Sequence, residues 1–187
     1  MKYPEEYLSQ LRGALDSVDL RGVGQAIEWF REAREAGRGI FVCGNGGSAA
    51  TASHFVNDVV KGASYGRPRR FRIVALTDSL STISAYANDV GWECVFAEQL
   101  KNFAAPGDVV MGLSGSGNSA NVIRAIEYGN SIGCRTLALT GRDGGKLGPL
   151  AQLNIHVREA HMGRIEDAHM AVCHMICYYF MDTEGGD

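Results

Sequence analysis

The chain has 187 residues, a formal net charge of −3 and 24 glycines, with 45% hydrophobic and 21% charged residues. That length suits a single domain with a core of its own. The acidic balance argues against a nucleic-acid partner, no apolar run reaches the ~18 residues of a membrane span, and the N-terminal segment lacks the apolar stretch of a signal peptide. Cys43, Cys94, Cys134, Cys173 and Cys177 follow no zinc-knuckle or redox spacing, and several sit in apolar runs, so they read as reduced, buried thiols of a cytoplasmic protein.

In chain order, residues 5–36 are predicted helical, with Tyr7, Leu8, Leu11, Leu15 and Val18 at helical spacing and Ile27, Trp29, Phe30 and Ala33 in a second run. The Gly22–Gly24 region is the expected break between two helices, and Gly37 and Gly39 mark a stop. Strands are predicted at 39–43, 71–76, 108–113, 135–139 and 154–157, and helices at 48–62, 79–88, 92–104, 118–132 and 164–182. Alternating apolar strands and helices describe βαβ units: an α/β fold of three layers, with a parallel sheet flanked by helices. Right-handed crossovers bring the loops that follow the strands to one edge, where ligands bind. The expected division is a single domain, 1–187, with N-terminal helices at 1–36, an α/β core at 37–182 and a frayed tail at 183–187. The last helix is apolar nearly all round, which places it in the core or against other subunits, and the first helices can serve the same oligomer packing. Lys61, Arg67, Arg69 and Arg70 form a basic run, either a solvated loop or a rim that attracts an anionic substrate.

Two loops carry the chemical signal. Cys43-Gly44-Asn45-Gly46-Gly47-Ser48-Ala49 and Leu113-Ser114-Gly115-Ser116-Gly117-Asn118-Ser119-Ala120 each follow a buried strand and open a helix. Glycines let backbone N–H groups converge on an anion, and a helix N-terminus adds free donors and partial positive charge. Neither loop has the lysine of a Walker loop, nor the acidic residue that follows a dinucleotide fingerprint. A nucleotide is therefore the weaker ligand.

Proton-transfer candidates lie on two helices. His54 and Asp58 are four apart and share a face. Glu166 and His174 are eight apart, which offsets them by roughly 80° and ~12 Å along one helix.

Ser114-Gly-Ser-Gly-Asn-Ser119 resembles the phosphate-binding signature of sugar isomerase (SIS) domains, which have a flavodoxin-like or Rossmann-like fold. Gly44-Asn-Gly-Gly-Ser48 with His54, Ala87-Asn-Asp89, the 139–146 stretch Leu-Thr-Gly-Arg-Asp-Gly-Gly-Lys, and Arg164-Ile-Glu-Asp-Ala-His169 resemble the phosphoheptose isomerase branch over nearly the whole chain. The resemblance implies an aldose–ketose isomerase that converts sedoheptulose 7-phosphate into D-glycero-D-manno-heptose 7-phosphate through an enediol, for heptose biosynthesis. It implies a homotetramer with active sites at subunit interfaces, and zinc, one ion per site, held by His54, Asp58, Glu166 and His174. It gives acid–base roles to Asp58, Glu166 and His174 and places Asp89 at sugar hydroxyls. It also implies a phosphate at Ser114, Gly115, Ser116, Gly117 and Ser119, and the sugar or its phosphate at Asn45, Gly46, Gly47 and Ser48. Two positions depart from the branch: Asp58 stands where it has Glu, and Glu166 where it has Gln. The base role is therefore expected to be shared or shifted between them. Either the last helix begins after Glu166, or the site draws on more than one subunit. Alternatives are isomerisation of another sugar phosphate, or a non-catalytic SIS-domain protein that binds a sugar phosphate or a replication-initiation factor. The kept His174 favours the enzyme.

Overall fold

The computed structural model describes residues 2–183; most of the predicted tail, 184–187, lies outside the described residues. α1 spans Tyr3–Asp16 and α2 spans Leu20–Glu35. The break falls at Ser17–Asp19, not at the glycines. Asp19 caps α2 by accepting from the Arg21 amide at 3.0 Å, and such a cap outweighs a mid-helix glycine. Gly22 lies inside α2, where a Cβ would stand 3.5 Å from Ile155, so it lets the helix lie close to the sheet.

Five strands form one sheet: β1 (Gly39–Gly44), β2 (Arg72–Ala75), β3 (Val109–Ser114), β4 (Arg135–Thr140) and β5 (Leu153–His156). Their order is β2-β1-β3-β4-β5 and every pairing is parallel. α3 (Gly47–Asn57) runs on into a π-helical turn, Asp58–Gly62. α4 (Leu80–Asp89), α6 (Ala120–Ser131) and α8 (Met162–Asp182) fall close to the predicted spans, while the helix predicted at 92–104 divides into a 3-10 turn, Trp92–Cys94, and α5 (Ala97–Phe103). α7 (Leu147–Leu150) was not anticipated, because four residues of Leu-Gly-Pro-Leu carry no helical period.

Alternation along the strands builds two cores. Ile40, Val42, Met111, Leu137 and Leu139 face α1, α2, α3 and α8, while Phe41, Cys43, Val110 and Ala138 face α5, α6 and α7. Helices on both faces of a parallel sheet make the three-layer α/β architecture. The chain leaves β1 toward β2 and leaves β3 toward β4, in opposite directions. Such a switch opens a crevice between the loops after β1 and β3.

α8 buries Ile165, Ala168, Val172, Cys173, Ile176, Cys177 and Phe180, but Met175 is 36% and Tyr178 45% exposed. The basic run does structural work: Arg67 caps α8 by donating to the carbonyls of Phe180 and Met181, and Arg69 pairs with Glu35.

Candidate active site

The second loop ends β3 and winds into α6. Ser119 is the N-cap of α6, with φ −67° and ψ 111°. Ser114 Oγ lies 3.0 Å from Ser119 Oγ and 3.4 Å from Ser116 Oγ, so three hydroxyls converge at the helix N-terminus. Gly117 makes this possible. Its φ is +66°, and a Cβ there would stand 2.1 Å from the Gly144 carbonyl oxygen. The turn after β4 clasps the loop: Leu147 N donates to Gly117 O at 2.9 Å and Lys146 N to Asn118 Oδ1 at 3.2 Å.

The first loop is tighter. A Cβ at Gly44 would meet the Ser48 backbone at 2.8 Å, so the chain turns back within one residue of the strand. Gly46 caps α3 with φ 54°, and Ser48 is buried. Asn45 exchanges amide hydrogen bonds with Asn121 of α6, at 2.8 and 2.9 Å, tying the two loops across the crevice. Asn121 escaped notice because it follows the serine loop with no motif of its own. Glu166 leans over this loop: its Oε1 lies 2.4 Å from where a Gly47 Cβ would stand.

His54, on α3, and His174, on α8, meet below the first loop. Their Nε2 atoms are 3.4 Å apart, and Asp58 Oδ2 lies 3.2 Å from His54 Nε2 and 3.6 Å from His174 Nε2. Asp58 Oδ2 is shielded from solvent and, among the described residues, has no hydrogen-bond partner despite the two Nε2 atoms beside it. The π-turn begins at Asp58, and such turns concentrate at functional sites.

These three atoms form a group that can hold a metal ion. Two imidazoles and a carboxylate are a zinc-type donor set. Ligands about 2.1 Å from a tetrahedral ion lie about 3.4 Å from one another, and the observed edges of 3.2, 3.4 and 3.6 Å bracket that spacing. The unpartnered carboxylate oxygen makes the same point: a cation satisfies what the protein leaves open.

Glu166 is not in this group. α8 is continuous from Met162, so it does not begin after Glu166, and about 12 Å of helix separates Glu166 from His174. Asp89 stands exposed at the end of α4, its carboxylate accepting from Asn88 Nδ2 at 2.7 Å, beside a shallow cavity of its own. His169, buried in α8 beside the core, meets the Thr140 backbone too loosely for a well-formed hydrogen bond, and burial pushes its pKa down to about 4. Burial likewise raises the Cys43 and Cys177 thiols to about 12, which removes them as nucleophiles.

A parallel sheet with a hydroxyl-lined helix N-terminus at its switch point and a His–Asp–His group beside it defines a phosphosugar-binding protein of the sugar isomerase class. The SIS domain family matches residues 6–141. The phosphoheptose isomerase of Citrifermentans bemidjiense is 39% identical over 172 residues, 92% of this chain and 87% of that one. The structure of phosphoheptose isomerase GmhA from Neisseria gonorrhoeae superimposes with a TM-score of 0.87 at 31% identity, covering 96% of this chain and 97% of that one. That of Francisella tularensis gives 0.87 at 25% identity, over 97% of each chain. The chain belongs to the SIS-domain family, in its phosphoheptose isomerase branch.

Proposed function

We propose that the protein isomerises sedoheptulose 7-phosphate to D-glycero-D-manno-heptose 7-phosphate. It is an aldose–ketose isomerase, and the observation that carries the mechanism is the His54–Asp58–His174 group beside the crevice between the two loops. Ser114, Ser116 and Ser119 donate to the phosphate, together with the amides of Gly115 and Gly117. The first loop, with Asn45, Gly46, Gly47 and Ser48, lies along the sugar chain.

At the reacting end a proton passes between neighbouring carbons, through an enediol. That requires a base, an acid and a group that polarises the carbonyl. In a metal-free group, Asp58, beside both histidines, acts as the base and His174 as the acid; coordinated nitrogens have no proton to give. His54, Asp58 and His174 would hold zinc, which supplies Lewis-acid polarisation of the substrate oxygens when bound. Glu166, lying over Gly47, contacts a sugar hydroxyl and holds one negative charge where the branch has a neutral amide. It joins the metal group only if two subunits share a site. Met175 and Tyr178, bare on α8, support a homotetramer with sites at subunit interfaces, where Asp89 of one subunit reaches the sugar of another. Five free cysteines fit a cytoplasmic setting, and among the described residues no helix is long and apolar enough to cross a membrane.

The test is turnover of sedoheptulose 7-phosphate by purified protein, with elemental analysis and chelation. Bound zinc and chelator-sensitive turnover are expected. Turnover that ignores chelation removes the metal from the mechanism, and no turnover in either state overturns the substrate assignment. Asp58→Asn is expected to lower kcat by about 10²–10⁴-fold, as for loss of a general base, whereas Glu166→Gln acts mainly on KM. The reverse pattern makes Glu166 the base, and full activity in both variants removes carboxylate catalysis.

A further inference from the structure

A cavity of about 830 Å³ flanks the second loop. It is lined by Ser116 and Asn118, by Arg142 and Asp143 from the turn after β4, and by Arg158 and Glu159 from the segment entering α8. Of its carboxylates, Glu159 is ion-paired and Asp143 is held by a single backbone amide. Glu159 receives Arg164 Nε at 2.7 Å and Nη2 at 3.0 Å, and the amides of His161 and Ala160 at 2.8 and 2.7 Å. Asp143 Oδ1 accepts from the Gly145 amide at 3.1 Å. Its guanidiniums are not engaged: among the described residues neither Arg142 nor Arg158 makes a side-chain hydrogen bond or ion pair. Arg142 is also the one non-glycine residue with positive φ among those described, at 51°, and its amide donates to the Glu159 carbonyl at 2.9 Å.

The second loop itself contains serine, glycine and asparagine and no cation. A phosphate dianion held there meets hydroxyls, amides and a helix end worth roughly half a unit charge. Neutral donors alone leave most of its charge unmatched once water is displaced. Ser116 belongs to both the hydroxyl cluster and the cavity wall, so the two adjoin at this residue.

We propose that Arg142 and Arg158 complete the phosphate site from this cavity, supplying the counter-charge that makes the protein selective for a dianionic, phosphorylated sugar. The sugar in this statement rests on the isomerase reading; the anion does not. Planar guanidiniums suit phosphate oxygens, and their charge makes the binding salt-dependent.

The experiment is calorimetric titration with inorganic phosphate at two salt concentrations, on the wild type and on Arg142→Asn combined with Arg158→Gln. Asparagine tolerates the left-handed backbone at 142. Phosphate affinity is expected to fall about ten- to a hundredfold and to lose most of its salt dependence, the range for charge-assisted hydrogen bonds. KM for sedoheptulose 7-phosphate should rise with it, since the arginines hold ground state and transition state alike. Arg158→Lys should keep the salt dependence that Arg158→Gln loses. Affinity and salt dependence equal to wild type in the paired variant overturn the proposal. Arg158→Gln alone, at an exposed position, repeats the test if the change at 142 disturbs the turn. Because phosphate binding is read without turnover, an inactive wild type would overturn the isomerase reading while this proposal is still judged on its own measurement.

Discussion

The two glycine-rich loops follow equivalent strands and open equivalent helices, yet their polar groups are spent differently. In the second loop three serine hydroxyls face one another at the start of α6 and find few partners beyond themselves. In the first, Asn45 is locked to Asn121, Ser48 is buried, and the Glu166 carboxylate lies over Gly47. An anion is welcome at the second and repelled by Glu166 at the first. On the proposed reading the second loop is the phosphate end of the site, and the first, with α3 beneath it, leads to the His54–Asp58–His174 group. Similar loop sequences hide this asymmetry, because it arises from what α6 and α8 bring against them.

The strongest way to break the comparison is Gly117→Ala. The new Cβ would collide with Gly144 O at 2.1 Å, and its φ of +66° disfavours alanine. The turn that clasps the loop must move and the hydroxyls part. We expect kcat/KM to fall by at least about 10²-fold, near 3 kcal/mol of transition-state stabilisation, with loss of phosphate binding by calorimetry. Gly47→Ala is the matched change on the first loop. Its φ is unexceptional, but the Cβ would displace Glu166 from 2.4 Å. A flexible side chain can move aside, so a loss of about tenfold is expected, within the range for a displaced polar contact, with phosphate affinity retained. If Gly47→Ala abolishes phosphate binding and Gly117→Ala does not, the two ends of the site are exchanged.

Acid separates the two sides as well. His169 lies near β4, on the second-loop side, with its pKa lowered to about 4 chiefly by burial. The unfolded chain takes up a proton near 6.5, whereas the folded chain resists until about 4. Stability is therefore complete above pH 6.5 and declines as pH falls toward 4, by up to roughly 3 kcal/mol. Urea unfolding between pH 7 and 4.5 measures it. His169→Gln, which has no charge to gain, should flatten that slope; an unchanged slope assigns the acid sensitivity elsewhere.

Much of this arrangement was legible in the residues. β1, β3 and β4 were readable as apolar runs because buried parallel strands need no alternation, whereas β2 alternates exposed and buried residues and β5 buries only Ile155. Both loops and the His54–Asp58 face followed from local spacing. Three features did not. The Asp19 cap displaced the helix break from Gly22 and Gly24, since a glycine is a weak breaker where packing wants it. The π-turn at Asp58 depends on how α3 meets α8 and has no local signature. Separation of Glu166 from the His54–Asp58–His174 group was foreseen only as an offset along a helix, and its resting place over Gly47 needed the tertiary contact.

The smallest expected effect tests the tie between the loops. Asn45→Ala removes one partner of a reciprocal amide pair and leaves the Asn121 side chain, which is buried, with unmet hydrogen-bonding capacity. Losing both bonds costs about 1–3 kcal/mol of stability. Asn121 Oδ1 also accepts from the Val122 amide at 2.9 Å, so α6 keeps part of its anchorage. Asn45→Ala should therefore lower the unfolding free energy by this modest amount and raise KM several-fold, because the loops no longer hold a fixed separation along the sugar chain. Replacing both asparagines with alanine should cost less than the sum of the single changes, since the orphaned amide is gone as well. Strict additivity in that double-mutant cycle would mean that the pair does not couple the loops, and that each is set by its own strand and helix alone.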